Sequence, residues 1–393
     1  MVAPSTPGAV RDAAAAIDGL PYVQAISPYQ PGKPIEELAR EFGIPVADIV
    51  KLASNENPAG VPASARAALL AAADDASRYP DGSAYALKEA LARRLAVPPD
   101  WLTIGNGSND ILEMAAAAVL APGRSCVFAQ YSFGAYALAT QARGARAIVV
   151  DALDYGHDLP AMARAVAPDT RLIYVANPNN PTGTFVGADA LDAFLRAVPP
   201  GVVVVLDEAY NEYLPPELRY DAIAWVRRFP NLLVSRTFSK AYGLAGLRVG
   251  YGVAQPPLGG LLNRVRMPFN VTSIAQAAAA AALQDTAFVQ KSYEDNRSGL
   301  QALGSALLGL GLQIIPSFGN FILFRVGPAA QAYQELLARG VIVRPVAGYG
   351  LPEWLRVSVG LPQENARFLA ALPAALAAAR AAAPAIPAAP AAA

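Results

Sequence analysis

Three short stretches of this 393-residue chain hold the residues best suited to chemistry. Asn177 to Gly183 (NPNNPTG) follows the apolar run RLIYVA. DEAY, opening at Asp207 and ending at Tyr210, follows VVVVL. Thr237 to Arg248 (TFSKAYGLAGLR) follows LLVSR and sets Lys240 among hydroxyls. A lysine at a dry strand end loses its proton more easily, because desolvation disfavours the ammonium. Such an amine can form a Schiff base with a carbonyl, the attachment that pyridoxal phosphate uses. An aspartate at the neighbouring strand end can hold a pyridine nitrogen protonated and so make the ring an electron sink. The Tyr210 phenol and the Asn180 amide can hydrogen-bond a ring hydroxyl. Thr237, Ser239 and Arg248 are donors for a phosphate, Arg248 bidentately. Gly105 to Asp110 (GNGSND) precedes an apolar helix and offers backbone N–H groups to the same phosphate.

Taken singly, these residues have plainer readings: Lys240 a surface side chain, Asp207 a helix cap or turn residue, NPNNPTG a stiff loop. His157, in polar DYGHDLP, reads as exposed and without a catalytic part. Arg356, a charge inside apolar LRVSVG, needs a partner or a ligand. The conjunction of Asn180, Asp207 and Lys240 at consecutive strand ends is what favours one shared site.

The elements that must position them follow from the apolar runs. Ile148 to Val150, Arg171 to Asn177, Val202 to Ala209 and Leu232 to Phe238 read as strands buried on both faces, as a parallel sheet between helix layers requires. Their spacing of about 30 residues matches βαβ units. In such a sheet, ligands bind beyond the carboxyl ends of the strands. Ser27 to Phe42 passes from a Pro/Gly-rich arm into a short amphipathic helix, and KLASNENP (Lys51 to Pro58) makes a turn. Beyond Asp285 come a long helix (Gln290 to Leu310), GNFILFRV, a helix over Ala330 to Arg339, GVIVRPV and LRVSVG, an α+β block that reads as a second domain. The Ala/Pro tail over 381–393 is low-complexity and reads as disordered.

Composition excludes other classes. Apolar residues make up 54% of the chain and charged ones 16%, and 31 basic residues balance 31 acidic ones. That balance argues against nucleic-acid or anionic-membrane partners. One Cys (Cys126) and one His (His157) leave no Cys/His metal site and no disulfide framework. No P-loop, G-x-S-x-G elbow or dinucleotide fingerprint is present. The first stretch, with Arg11, Asp12 and Asp18, lacks the apolar core of a signal peptide. Met267 to Gln284 reads as a buried Ala-rich helix with its leader rather than a membrane span.

NPNNPTG, DEAY and RTFSKAYGLAGLRVGY together resemble the fold-type-I pyridoxal-phosphate aminotransferases, and within them the histidinol-phosphate aminotransferase family. SPYQPGKPIEELARE, KLASNENP, RYPDG, YSFGAY, RMPFN, GNFILF and LRVSVG support the same match, which spans Pro21 to Ala375. The resemblance implies Lys240 as Schiff-base lysine and proton shuttle, Asp207 on the pyridinium, and Asn180 and Tyr210 on the phenolic oxygen. It implies Phe133 stacked on the ring, and Ser108, Asn109, Thr237, Ser239 and Arg248 on the phosphate. Tyr79 would reach that phosphate from a partner subunit, which makes the protein a homodimer with shared sites. Arg356 would bind the substrate's anionic group, helped by Arg344 and Tyr29, so that one pocket takes the carboxylate of glutamate or 2-oxoglutarate and the phosphate of histidinol phosphate.

The implied architecture is a large domain over 54–288 with a mostly parallel sheet. A smaller α+β domain is built from 289–380 plus the arm 1–53. The implied enzyme is a cytoplasmic histidinol-phosphate transaminase. Aromatic-amino-acid aminotransfer, or decarboxylation of threonine phosphate, would use the same cofactor residues; a cofactor-binding regulator would need an added DNA-binding domain. The chain departs from the family pattern at Asn109-Asp110, where Asp-Glu is usual. It also departs at Thr272, where a second Asn is common, and at Ala59, where a larger residue is common.

Overall fold

The structure, a computed structural model, describes residues 18–28 and 30–382. Its largest sheet is built from β2 (Leu102–Gly105), β3 (Ser125–Ala129), β4 (Arg146–Val150), β5 (Thr170–Ala176), β6 (Val203–Asp207), β7 (Leu232–Thr237) and β8 (Gly250–Val253); β1 (Val50–Lys51) lies outside it. The order across the sheet is β2-β8-β7-β6-β5-β3-β4, with β8 antiparallel to both neighbours and the other pairs parallel. In β5, β6 and β7 nearly every residue is buried, as expected for β-branched runs between two helix layers. Each Val or Leu so buried contributes about 1.5–3 kcal/mol.

β4 differs from that expectation. It is the edge of the sheet, and Val149 is 53% exposed. Its partner β3 covers one side only, so the IVV run lacks a neighbour on the other. The Ala-rich stretch forms the helix Ser273–Gln284, whose Ala275, Ala278, Ala279 and Ala282 are buried and pack closely on the helix Ala63–Ala73. Among the described residues no helix is long and apolar enough to cross a membrane.

A second set of strands follows: β9 (Ile314–Ile315), β10 (Phe321–Arg325), β11 (Val341–Ile342), β12 (Arg344–Pro345) and β13 (Trp354–Ser358). Four of them make an antiparallel sheet in the order β12-β13-β10-β9. β11 instead pairs in parallel with β1, Val50 opposite Val341 and Lys51 opposite Ile342. GVIVRPV is therefore two short strands in two sheets. Val50 and Leu52 share a core with Leu303, Phe324, Leu355 and Phe368, so the arm packs with the C-terminal block. The long helix Thr286–Gly309 runs unbroken across residues 288 and 289. Ala381 and Ala382 end the last helix, Pro362–Ala382, and the rest of the tail lies outside the described residues.

Candidate active site

Several of the sheet's polar residues meet at one edge. Gly105, Gly250 and Thr237 are register neighbours there, and Asp207 lies beside Ser235 and Ala176. β2, β5, β6 and β7 all end at this edge. Beyond it lies a pocket of about 180 Å³ lined by Ser108, Asn109, Phe133, Asn180, Asp207, Tyr210, Thr237, Ser239, Lys240, Arg248, Arg344 and Arg356, among others. The sequence had singled out every one of these residues for the site.

The end of the pocket at Arg248 depends on two glycines. The helix Ser108–Val119 opens directly after Gly107, which holds φ +81°. A Cβ on Gly107 would come 2.5 Å from an Arg248 guanidinium nitrogen, and one on Gly250 would come 2.5 Å from the Ser108 amide nitrogen. Glycine at both places lets a helix N-terminus, with its outward N–H groups, approach an arginine. That combination suits an anion. Arg248 also donates to Ser239 Oγ at 3.3 Å, and Ser239 N–H donates to Thr237 Oγ1 at 3.1 Å.

The end of the pocket at Asp207 is electrostatically prepared. Asp207 is 5% exposed, and burial pushes its carboxyl up to about 6, against the pull of the Tyr136 hydroxyl, which donates to Oδ2 at 2.9 Å. Oδ1 is buried without a hydrogen-bond partner. An aromatic ring nitrogen carrying a proton would satisfy it and, being cationic, would favour the ionised carboxylate. Next to it, Glu208 is fully buried and accepts from Arg236 Nε at 2.8 Å, which neutralises a second negative charge beneath the site. Lys240 Nζ donates to the Ser54 carbonyl at 3.0 Å. Burial first, and then the nearby Arg356 cation, lowers the lysine's pKa to about 8. An amine so placed is free base for a useful fraction of the time at neutral pH. The residues therefore fit pyridoxal phosphate.

The remaining wall carries two arginines. Arg344 on β12 stands directly opposite Arg356 on β13. Arg356 is 5% exposed and donates to Asn180 Oδ1 at 2.5 Å and to the Ala53 carbonyl at 2.8 Å; Arg344 donates to the Gln30 carbonyl at 2.6 Å. Like charges facing each other across a ladder are unfavourable, and an anion between them relieves that. Because Arg356 takes the Asn180 oxygen, the Asn180 amide nitrogen is the group left to donate into the pocket.

One expected residue does not line this pocket. Tyr79 is 83% exposed and stacks on Phe269 with ring centroids 4.8 Å apart. Tyr29 lies outside the described residues. His157 corrects the sequence reading: it is 8% exposed, with Nε2 2.8 Å from the Ala176 carbonyl at the end of β5, and burial lowers its pKa to about 4. The polar DYGHDLP segment folds this ring inward, where it meets the main chain.

Sequence reasoning gave no role to Asn55 or Tyr136, although both lie in motifs it used. Asn55 Nδ2 donates to the Tyr210 hydroxyl at 2.9 Å. The available signal for Tyr136 was its place three residues after Phe133, at the start of the helix Ala135–Ala142.

The family model for aminotransferase class I and II matches residues 47–372. Histidinol-phosphate aminotransferase 2 of Ralstonia nicotianae is 65% identical over 362 residues, covering 91% of this chain and 97% of that protein. Histidinol-phosphate aminotransferase 1 of Cupriavidus pinatubonensis is 64% identical, covering 91% and 96%. The chain belongs to the histidinol-phosphate aminotransferase family. Among solved structures, that of the Sinorhizobium meliloti histidinol-phosphate aminotransferase in complex with pyridoxal-5'-phosphate superposes with a TM-score of 0.84 at 30% identity, over 93% of this chain and 99% of the other.

The three departures from the family pattern sit quietly in the structure. Thr272 caps the helix Ser273–Gln284, its hydroxyl accepting from Ala275 N–H at 3.2 Å. Asp110 accepts from Asn106 N–H and from Asn270 Nδ2, both at 2.8 Å, and leaves Asn109 facing the pocket. Ala59 N–H donates to Asn57 Oδ1 at 3.0 Å, a turn that uses no side chain at position 59.

Proposed function

We propose that this protein is a pyridoxal-phosphate aminotransferase that moves an amino group between glutamate and imidazole-acetol phosphate, giving 2-oxoglutarate and histidinol phosphate. The observation that carries the substrate choice is the Arg344–Arg356 pair, set opposite each other across β12 and β13 and lining the pocket that holds Lys240. Two guanidinium groups accept a carboxylate or a dianionic phosphate bidentately, and two substrates bearing those two anions must use the pocket in turn. The family relatives named above are histidinol-phosphate aminotransferases, which supports the same choice.

When bound, the cofactor supplies an aldehyde carbon to receive the amino group and a ring that accepts the electron pair left at the substrate's α-carbon. The chain's own residues do the rest. Ser108, Asn109, Thr237, Ser239 and Arg248 hold the phosphate, and Phe133 lies against the ring. Asp207 keeps the ring nitrogen protonated. Asn180 and Tyr210 donate to the phenolic oxygen. Lys240 Nζ would anchor the cofactor and, once the substrate's amine has taken that place, its freed amine would carry the proton from the substrate's α-carbon to the cofactor's aldehyde carbon. Arg356, with Arg344 and Tyr29, orients the substrate by its anion so that this C–H faces Lys240.

In this reading the protein is a cytoplasmic homodimer, with Tyr79 reaching the phosphate of the other subunit's site. It divides into the large domain 54–288 and a small domain made of 289–380 and the arm 1–53. The experiment is a half-reaction. Purified protein is mixed with histidinol phosphate alone, and the cofactor's visible absorbance is followed. Fast loss of the lysine-linked form, with phenylalanine much slower, is the expected result. Rapid reaction of phenylalanine with sluggish histidinol phosphate would overturn the substrate, and absence of cofactor absorbance would overturn the whole reading.

A further inference from the structure

We propose that Tyr136 is the positioning residue of Asp207: its hydroxyl holds one carboxylate oxygen so that the other is presented to the cofactor's ring nitrogen. The proposal rests on the pyridoxal-phosphate reading above. Tyr136 Oη donates to Asp207 Oδ2 at 2.9 Å, while Oδ1 is buried with no partner. The phenol has nowhere else to go. Its residue is fully buried, its ring stacks on Tyr174 at 4.4 Å with planes 5° apart, and the Phe133 ring meets it edge-on at 5.8 Å. The residue assigned to the cofactor's face is thus packed against the residue that steadies the partner of the cofactor's nitrogen.

Apart from the Ala209 backbone N–H, which also favours the ionised carboxylate, the other groups facing Asp207 do not duplicate this bond. Glu208, next on β6, is engaged with Arg236. Lys240, from the loop after β7, is tied to the Ser54 carbonyl. Tyr174, on β5, gives its hydroxyl to the Leu112 carbonyl at 2.8 Å, and Tyr210, three residues after Asp207, receives from Asn55. Among the described residues Tyr136 is the side chain that donates a hydrogen bond to this carboxylate. Removing it leaves burial less opposed, so the carboxyl holds a proton more readily and turns more freely. A protonated, mobile carboxyl pairs poorly with a pyridinium.

The test is the affinity of apoprotein for two compounds: pyridoxal phosphate, and its analogue with C–H in place of the ring nitrogen. Tyr136→Phe is expected to weaken pyridoxal phosphate roughly 10- to 100-fold, as for a lost hydrogen bond to a charged group, and to leave the analogue's affinity unchanged. Tyr174→Phe, which removes a phenol from the same stack but not from Asp207, is expected to change neither. The pH at which pyridoxal phosphate affinity falls off in acid is expected to move upward in Tyr136→Phe. Unchanged affinity for pyridoxal phosphate overturns the proposal. So does an equal loss for both compounds, which means a packing role only, and so does an unmoved acid midpoint. Failure of wild-type apoprotein to bind pyridoxal phosphate overturns the cofactor reading, and this proposal with it.

Discussion

Asn55 fixes the direction in which Tyr210 can donate: its Nδ2 gives a hydrogen bond to the Tyr210 hydroxyl at 2.9 Å, so that the phenol's own proton is left for another acceptor. Asn55 is in turn held by the strand that carries Arg356. Ser358 Oγ donates to Asn55 Oδ1 at 2.9 Å and receives from Asn55 N–H at 2.9 Å, and Asn320 Nδ2 donates to its carbonyl at 3.0 Å. The strand that carries Arg356 and the Tyr210 phenol are thus joined through one buried amide. Asn55 has φ +54°, a backbone state that Asn and Gly adopt more readily than other residues.

This relationship predicts a ranking. Asn55→Gly keeps the backbone and loses the donor, and kcat should fall by roughly tenfold, about 1–1.5 kcal/mol. Asn55→Asp should be worse, because a carboxylate there accepts the Tyr210 proton instead of directing it elsewhere. Steady-state kinetics with both variants decide it. Wild-type kcat in Asn55→Gly would remove Asn55 from the argument.

The lysine predicts a pH profile. Lys240 has its pKa lowered to about 8 by burial and by Arg356, so its free-base fraction rises as pH rises through about 8. The rate at which apoprotein captures pyridoxal phosphate should climb through the same range. Arg356→Gln removes the neighbouring cation and should move the midpoint upward, slowing capture at neutral pH while also raising KM for both substrates. Lys240→Ala should abolish the lysine-linked absorbance and turnover. Stopped-flow measurements against pH are the check, and a flat profile would contradict the assigned role of the amine.

Much of this arrangement was legible in the chain. The largely apolar runs before Asn177, Asp207 and Thr237 form neighbouring strands because apolar side chains fill both buried faces, and the polar residues that follow them fall at or just beyond the strand ends. What the sequence hid was contact between distant stretches. Nothing local to YSFGAY says that the Tyr136 hydroxyl meets Asp207, which is 71 residues away. Nothing in KLASNENP says that Asn55 meets Ser358 across 303 residues. His157 was misplaced for the same reason. A polar neighbourhood in sequence predicts exposure, whereas the ring's partner, the Ala176 carbonyl, comes from the end of another strand. The edge position of β4 likewise depends on sheet order, which apolar patterning does not encode.

The aspartate predicts a conflict between binding and stability. Burial raises the Asp207 carboxyl from its ordinary value of 3.8 to about 6 in the folded apoprotein. A carboxyl whose folded pKa is raised contributes stability while protonated and loses it as pH rises through that window. Asp207→Asn should therefore make the apoprotein more stable at neutral pH, by an amount on the order of 2–3 kcal/mol, with the advantage shrinking as pH falls towards about 4. With pyridoxal phosphate bound the order should reverse, because the wild-type carboxylate then has its cationic partner. Calorimetric melting of both proteins, with and without cofactor, across that pH range is the measurement. An apoprotein Asp207→Asn less stable than wild type at neutral pH would show that the buried charge carries no such cost.

Tyr79 predicts what happens when two damaged proteins are mixed. Its ring is 83% exposed and stacks on Phe269, itself 47% exposed, with Met267 nearby in sequence and 69% exposed. An aromatic and apolar cluster of this kind is suited to cover by a second copy of the chain. If Tyr79 completes the other subunit's phosphate site, Lys240→Ala and Tyr79→Ala homodimers are each impaired in both sites. In a mixed dimer the two defects fall together in one site, and the other site receives an intact lysine from one chain and an intact tyrosine from the other. Equal mixing with full subunit exchange makes half of the dimers mixed, so about a quarter of all sites become intact. Activity should rise to about that share of wild type after exchange and should stay at the level of the separate variants before it. If the sites were self-contained, each mixed dimer would carry one copy of each defect in separate sites, and exchange would change nothing.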